Sequence, residues 1–237
     1  MKCENLNWKN DFPKFINYLY SLENKTYGDF AHKITPGDFE IIGINIPTLR
    51  KIAKDICKSN YKDFINVSKS GIFEIKMLRA LVISSINDPL EFRQYFDIFL
   101  PEIDNWAICD TFINTSKVIK KDKSYFFRKS RDLICENSEY SNRVGFVIIL
   151  NYFVEDDYID SILTLIDNFK SEYYYANMAL SWLLAECYIK ERDRTKEFLL
   201  NANLSPEVKK MTTRKIKDSF RVDESDKNWL KKAINFS

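Results

Sequence analysis

The sequence predicts an all-α chain built from short amphipathic helices. Its 237 residues are 45% hydrophobic and 30% charged, which provides enough apolar material for a buried core. Only five glycines and six prolines are present, too few for a turn-rich all-β fold. Apolar residues recur at helical spacing, and no run alternates apolar and polar residues between turn signals.

The first predicted helix carries Phe12, Phe15, Ile16 and Leu19 on one stripe. After it comes the one long irregular stretch, from about Asn24 to Asn45, which is marked by three glycines and a proline. Long loops in helical arrays often serve in binding. This stretch is therefore either a binding loop or a lid over the first repeat, and Tyr27 and Phe30 are its candidate contact residues.

The second predicted helix begins at Pro47, because a proline at the first helical position loses no hydrogen bond. Its apolar face consists of Leu49, Ile52, Ala53 and Ile56. Pro101 stops a later helix, Asp104 or Asn105 can cap the next one, and Ser138 and Ser205 are further predicted N-caps. Besides the helix that starts after Asn105, the predicted helices are 61–68, 72–86, 89–99, 123–135, 139–154, 157–169, 172–190, 193–200, 206–220 and 224–234.

Successive helix pairs recur at about 30–45 residues, the range of HEAT-like or armadillo-like stacking. No linker or low-complexity tract interrupts them. The prediction is a superhelical array of HEAT-like antiparallel helix pairs, an α-solenoid, formed by residues 1–237 as a single domain.

The sequence contains neither a long apolar segment nor a cluster of metal-ligating residues, and this limits where the protein acts and which cofactors it can bind. The longest apolar run, Val144–Leu150, has seven residues, against the ~20 needed to span a bilayer, and the N-terminus lacks an apolar signal region. The five cysteines form no Cys-x-x-Cys pair, and His32 is the only histidine, so a zinc site is improbable. We expect a cytoplasmic monomer with buried, reduced thiols and with neither metal nor cofactor.

Four side chains are the main functional candidates. Trp106 and Asp110 are four residues apart and share one face if their segment is helical. An aromatic face beside a carboxylate suits a cationic substrate or a cationic transition state. Arg143 and Trp182, further along the chain, add a planar cation and a second indole.

Each candidate also has an ordinary structural explanation. Trp182 can be core, and Trp106 can be an aromatic that packs against a helix end. Asp110 can cap a helix or pair with an arginine. Arg143 can form a salt bridge with Glu139, four residues earlier.

Positive charge is concentrated in two segments although the net charge is only +2. Seven basic residues lie between Lys117 and Arg131, opposed only by Asp122, and six lie between Lys209 and Arg221, opposed by Asp218. Solvated helix faces are the common explanation for any single charge run. Two such runs flanking the four candidates favour a phosphate-binding surface on a concave face that fits duplex DNA. The predicted phosphate contacts are Arg143, Lys117, Lys120, Lys121, Arg214 and Lys215.

At these residues the chain resembles the HEAT-like DNA alkylation-repair proteins, the AlkD-like alkylpurine DNA glycosylases. The likeness is carried by segments 41–54, 103–112, 143–153 and 173–187, and it extends over about residues 27–232. The stretch from Tyr27 to Ile42 is longer than in the best-studied branch.

The resemblance implies a protein that excises cationic N3- and N7-alkylpurines from duplex DNA without metal or cofactor. Asp110 then matches the catalytic aspartate, Trp106 and Trp182 the aromatic walls, and Arg143 the arginine that contacts phosphate, while Tyr27 and Phe30 lie near the lesion. Two alternatives stay open. One is a non-catalytic relative that binds damaged or branched DNA, and the other is a protein-interaction scaffold with no affinity for DNA.

Overall fold

The computed structural model describes residues 2–233, and these form fourteen α-helices joined by short turns. The helices are α1 (Trp8–Tyr20), α2 (Lys25–Ile34), α3 (Ile46–Ile56), α4 (Tyr61–Val67), α5 (Phe73–Ile83), α6 (Pro89–Phe99), α7 (Trp106–Thr115), α8 (Lys123–Ile134), α9 (Glu139–Tyr152), α10 (Asp156–Asn168), α11 (Tyr174–Lys190), α12 (Arg192–Asn201), α13 (Pro206–Asp218) and α14 (Glu224–Ala233). Within these residues the β-type pairing is limited to an isolated parallel bridge between Glu40 and Ile72. The prediction of an all-α fold made of stacked helix pairs is confirmed.

Most helix boundaries agree with the predictions to within two or three residues. Ser138, Ser205 and Asn105 are the N-caps, each with a side-chain oxygen that accepts a first-turn N–H. The helix predicted from Pro47 begins one residue earlier, at Ile46, because the Asn45 side chain accepts the Thr48 N–H at 2.9 Å. The last residue of the predicted helix 224–234 lies outside the described residues.

The prediction of an irregular stretch from Asn24 to Asn45 is wrong in its first half. Residues 25–34 form α2, whose first turn is capped by the Asn24 side chain through the Tyr27 N–H at 3.0 Å. The helix ends before Pro36, and only the connection to α3 is irregular. Tyr27 and Phe30 therefore lie on a helix, where their directions are fixed by its turns.

The helices group into two compact units that divide between Asp122 and Lys123. The prediction of one domain over residues 1–237 remains a prediction. In the first unit α5 is the central helix, with α3, α4, α6 and α7 packed against it. Its buried face includes Arg79, whose guanidinium pairs with Glu102 and lies 5.6 Å from the centre of the Phe99 ring. Burial lowers the pKa of Arg79, and the Glu102 carboxylate opposes that shift.

In the second unit, α9 and α11 are the central helices, and α8, α12 and α13 pack around them. Gly145 allows α8 and α9 to approach closely, since a Cβ at that position would lie 2.6 Å from the Ser130 carbonyl oxygen. The buried Asn142 side chain donates to three carbonyls, two at the end of α8 and one in the turn that follows, at 2.7–3.0 Å. These contacts fix the start of α9, the helix that carries Arg143.

None of the five cysteines, all of which lie within residues 2–233, forms a disulfide. The expectation of buried thiols holds for Cys3, Cys109 and Cys187, while Cys57 is half-buried. It is wrong for Cys135, which is exposed in the turn after α8, where no helix covers it. None of the helices within residues 2–233 has the length and apolar character needed to cross a bilayer.

Candidate functional site

A cavity of about 230 Å³ in the first unit brings four of the predicted site residues together. It lies among α2, α3, α5 and α7, and Tyr27, Phe30, Trp106 and Asp110 are part of its wall. The other lining residues are Ala31, Ile34, Thr35, Ile41, Ile46, Arg50, Phe73, Glu74, Ala107, Thr111 and Asn114. The wall is largely apolar and aromatic, with a few polar groups, which is the usual composition of a small-molecule site.

Trp106 and Asp110 are positioned by a well-defined start of α7. Asn105 caps the helix by accepting the Ile108 N–H at 3.0 Å, and its amide donates to Asp104 at 2.9 Å. Asp104 in turn forms an ion pair with Lys76 of α5. Trp106 is therefore the first residue of α7, and Asp110 follows one turn later on the same face.

The Trp106 indole is half-buried and tied to the end of α2. Its Nε1–H donates to the carbonyl oxygen of Ile34 at 2.9 Å. Ile34 is the last residue of α2, and its carbonyl has no partner within the helix. This hydrogen bond satisfies a helix-end acceptor and fixes one edge of the indole at the cavity wall.

Helix α2 brings Tyr27 and Phe30 to the same cavity, one turn apart. Their ring centres are 6.5 Å from each other. Phe30 is 55% exposed and Ile34 is 44% exposed, so the α2 side of the cavity has an apolar rim that is open to solvent. An exposed apolar rim of this kind is typical of a surface that contacts a ligand or a partner.

The cavity wall also contains Arg50 and Glu74, which are not among the residues that the sequence predicts for the site. The Arg50 guanidinium donates to Thr115 Oγ1 at 3.2 Å. Glu74 is fully buried, and its carboxylate accepts three backbone N–H groups from residues 42–44. The signal for Glu74 was an acidic residue within the apolar run of α5, where a charge requires buried partners.

Arg143 lies in the second unit and is only 6% exposed. Its Nη1 donates to the Tyr175 carbonyl oxygen at 3.0 Å, and its guanidinium lies 5.9 Å from the centre of the Tyr175 ring. The proposed partner Glu139 accepts the Tyr175 N–H at 2.7 Å. The Tyr175 backbone thus connects Arg143 and Glu139 at the start of α11.

Trp182 is half-buried on α11, although its immediate neighbours on both sides are buried. The ammonium of Lys215, from α13, lies 5.7 Å from the centre of its ring. The indole face therefore already interacts with a cation in this unit. Arg214, one residue before Lys215, is exposed and lies 3.8 Å from Asp218.

The three candidate lysines of the first unit occupy one 3-10 turn, Lys117–Lys121, directly after α7. All three are exposed. Lys117 donates to the Asn114 carbonyl at 2.7 Å and Lys121 to the Asn87 carbonyl at 3.2 Å. An ammonium carries three N–H donors, so one lysine side chain can hold more than one acceptor.

Most of the predicted site residues thus fall into two sets. Trp106, Asp110, Tyr27 and Phe30 share the cavity of the first unit, and Trp182 and Lys215 are in contact in the second. A larger concavity, about 850 Å³, lies in the second unit and is lined by none of the candidates. Within residues 2–233 no group of three or more histidine, cysteine, aspartate or glutamate side chains is arranged to hold a metal ion.

Comparison with known proteins gives one family. A family model described as DNA alkylation repair enzyme matches residues 16–221, most of the chain. The match covers most of each unit and includes every candidate site residue. No curated protein matches the chain.

Proposed function

Because the chain belongs to the DNA alkylation repair enzyme family, we propose that it is a monofunctional DNA glycosylase. The proposed substrates are duplex DNAs that contain positively charged N3- or N7-alkylpurines, and no metal or cofactor takes part. The observation that carries the proposal is the cavity in which the Asp110 carboxylate lies among the aromatic side chains of Trp106, Tyr27 and Phe30.

Charge explains why this arrangement suits the reaction. An alkylated purine of this kind is cationic, and its leaving group becomes a neutral base when the glycosidic C1′–N bond breaks. Positive charge then develops on the deoxyribose, and the nearby Asp110 carboxylate stabilises it. A water oxygen bonds to C1′ and loses a proton, which gives a free alkylpurine and an abasic site. The role of Asp110 is to stabilise the sugar cation and to orient that water.

The aromatic and basic residues hold the substrate. The indole of Trp106 presents a face to a cationic base or to the sugar, and Trp182 offers a second one in the other unit. Arg143 supplies a planar guanidinium for a backbone phosphate. Lys117, Lys120, Lys121, Arg214 and Lys215 are the further proposed phosphate contacts.

The test is release of free 7-methylguanine and 3-methyladenine from methylated duplex DNA. Asp110→Asn keeps the shape of the side chain but removes its charge, so we expect DNA affinity to be retained and the single-turnover rate to fall about 100-fold or more. The matched control is Asp132→Asn, which removes the same charge from an exposed side chain on α8 and should release bases at the wild-type rate.

Two results would contradict the proposal. Full activity of Asp110→Asn would remove the carboxylate from the mechanism. Wild-type protein that binds methylated duplex but releases no base would identify the chain as a non-catalytic DNA-binding member of its family.

A further inference from the structure

The Glu74 carboxylate is the centre of a buried hydrogen-bond cluster in the first unit. The side chain is fully buried on α5. Its Oε1 accepts the N–H groups of Gly43 at 2.7 Å and Ile44 at 3.1 Å, and its Oε2 accepts that of Ile42 at 2.9 Å. Both oxygens are thus engaged by the backbone of the connection between α2 and α3. A buried carboxylate needs such partners, and three consecutive N–H groups need such an acceptor.

The segment held by Glu74 is also in tight contact with the start of α2. Gly43 has a φ of +94°, and a Cβ there would lie 2.2 Å from the Asn24 carbonyl oxygen and 2.9 Å from the Gly28 nitrogen. The Asn24 N–H points to the Ile42 carbonyl at 3.4 Å. Only glycine fits between these groups in this conformation. The position of residues 42–44 therefore determines where the first turn of α2 lies.

The other end of α2 holds Trp106. The Ile34 carbonyl accepts the indole N–H, and the same helix places Tyr27 and Phe30 at the cavity. A displacement of α2 would move this acceptor away from the indole. It would also move the aromatic wall that faces Asp110.

We propose that Glu74 is a positioning residue: it holds α2 in place through the Ile42–Ile44 backbone, and α2 in turn holds the Trp106 indole beside Asp110. The effect of Glu74 on the position of the indole follows from the geometry alone, whereas its effect on base release rests on the proposed function. Glu74 acts through the backbone and not on the reacting atoms, since its side chain is fully buried and both of its oxygens accept backbone N–H groups.

The first variant is Glu74→Gln. This change keeps the size of the side chain but replaces one acceptor oxygen by an NH₂ group, which is a donor. At least one backbone N–H of residues 42–44 then faces a donor and has no acceptor. The readout is the nuclear magnetic resonance spectrum of protein with ¹⁵N-labelled tryptophan, which shows one indole N–H signal for each of the four tryptophans. Trp106→Phe identifies the Trp106 signal by its loss. We expect the exchange of the Trp106 indole proton with water to accelerate about ten-fold or more in Glu74→Gln, with the Trp182 signal unchanged.

Gly43→Ala tests the same arrangement from the other side, with the Glu74 carboxylate intact, and is measured whether or not Glu74→Gln folds. Its methyl group would collide with Asn24, so the Trp106 signal should change in the same way. Gly28→Ala is the matched control in α2, because its Cβ would meet neighbours only at ordinary contact distances of 3.6 Å or more. An unchanged Trp106 signal in folded Gly43→Ala or in folded Glu74→Gln would overturn the proposal.

Activity separates positioning from a general loss of stability. At a temperature where all variants are folded, Glu74→Gln should slow single-turnover release of 7-methylguanine about ten-fold or more, with DNA affinity changed less than about three-fold. Phe96→Leu, a core change outside the cavity that also lowers stability, should leave the rate of release unchanged. If the wild type releases no base, the proposed function fails, and the indole exchange still decides whether Glu74 positions Trp106.

Discussion

Trp106 and Trp182 are held by different parts of their side chains. Trp106 is fixed at its edge, through the N–H that Ile34 accepts, which leaves the ring faces available. Trp182 interacts through its face, over which the Lys215 ammonium lies. A cationic base that stacks on Trp182 would compete with Lys215 for that face. A base that stacks on Trp106 could do so without breaking the hydrogen bond at the edge of the indole. In the proposed reaction this makes Trp106 the stronger candidate for contact with the lesion.

Asp55 provides a pH-dependent contact at the N-terminus. Its Oδ2 accepts the Cys3 N–H at 2.6 Å, and this hydrogen bond is the main reason why its pKa is lowered, with Lys58 adding to the effect. A carboxyl whose pKa is lower in the folded state contributes stability above its unfolded pKa. That contribution is lost as the pH falls through the folded pKa.

We therefore expect Asp55→Asn to lower the free energy of unfolding by about 1 kcal/mol at pH 7. The difference from the wild type should persist down to pH 4–5 and decline as the pH falls below the ordinary carboxyl pKa of 3.8 towards the lower pKa of the folded state. Urea unfolding at pH 7, 5 and 3 measures it, with Asp132→Asn as control. A difference that stays constant from pH 7 to pH 3 would show that the charge of Asp55 is not involved.

Single residues also show how far the sequence could predict the site. Trp106 and Asp110 were predictable as a pair because both lie on one helix, where a separation of four residues fixes a shared face. The role of Glu74 was not, because its partners are backbone N–H groups of residues 42–44. No side-chain pattern marks such donors, and the residues that expose them depend on the path of the connection.

At the scale of elements, α2 is the clearest difference between prediction and structure. Its apolar residues, Tyr27, Phe30, Ala31 and Ile34, do follow helical spacing. Gly28 within the segment and Pro36 after it indicate a loop, and the prediction followed these two residues and not the helical spacing. In the structure Gly28 lies within α2, and a Cβ there would be 3.6 Å from the backbone of Gly43, an ordinary contact distance. A glycine that a helix merely tolerates cannot be distinguished from a loop glycine by the sequence alone.

The close packing of α8 on α9 leads to a stability prediction. In Gly145→Ala the new methyl group would lie 2.6 Å from the Ser130 carbonyl oxygen and 2.7 Å from Ile134 Cγ1. Separating two packed helices costs more than the gain of about 1 kcal/mol in helix propensity, so we expect a net loss of about 1–3 kcal/mol. Thermal unfolding should show a Tm lower by several degrees.

Gly71 is the matched control for this substitution. It lies in a turn of the first unit, its φ is not in the left-handed region, and a Cβ there would meet nothing within 4 Å. Gly71→Ala should leave the Tm unchanged or raise it slightly, because alanine restricts the unfolded chain. Equal Tm values for the two variants would mean that α8 and α9 can separate at no cost.

At the scale of the whole molecule, the charge is nearly balanced, with 36 basic and 34 acidic residues. Attraction to DNA therefore depends on where cations lie and not on net charge. In the second basic segment Arg221 is bound to Glu186 at 2.6 Å, so part of that segment serves structure. Lys117, Lys120 and Lys121 are exposed, and the ammonium groups of Lys117 and Lys121 donate to backbone carbonyls, which carry no formal charge.

Salt dependence of DNA binding tests whether those three lysines contact phosphate. Each phosphate contact contributes about 0.9 to the slope of log Kd against log salt, because it releases condensed counterions. Replacing Lys117, Lys120 and Lys121 by glutamine should reduce that slope by up to about 2.7 and weaken binding to all duplex sequences alike. The control replaces Lys9, Lys14 and Lys54, which are also exposed, and makes the same change in net charge. If the slope of log Kd against log salt falls by the same amount in both triple variants, the attraction depends on total charge and the turn after α7 is not a phosphate site.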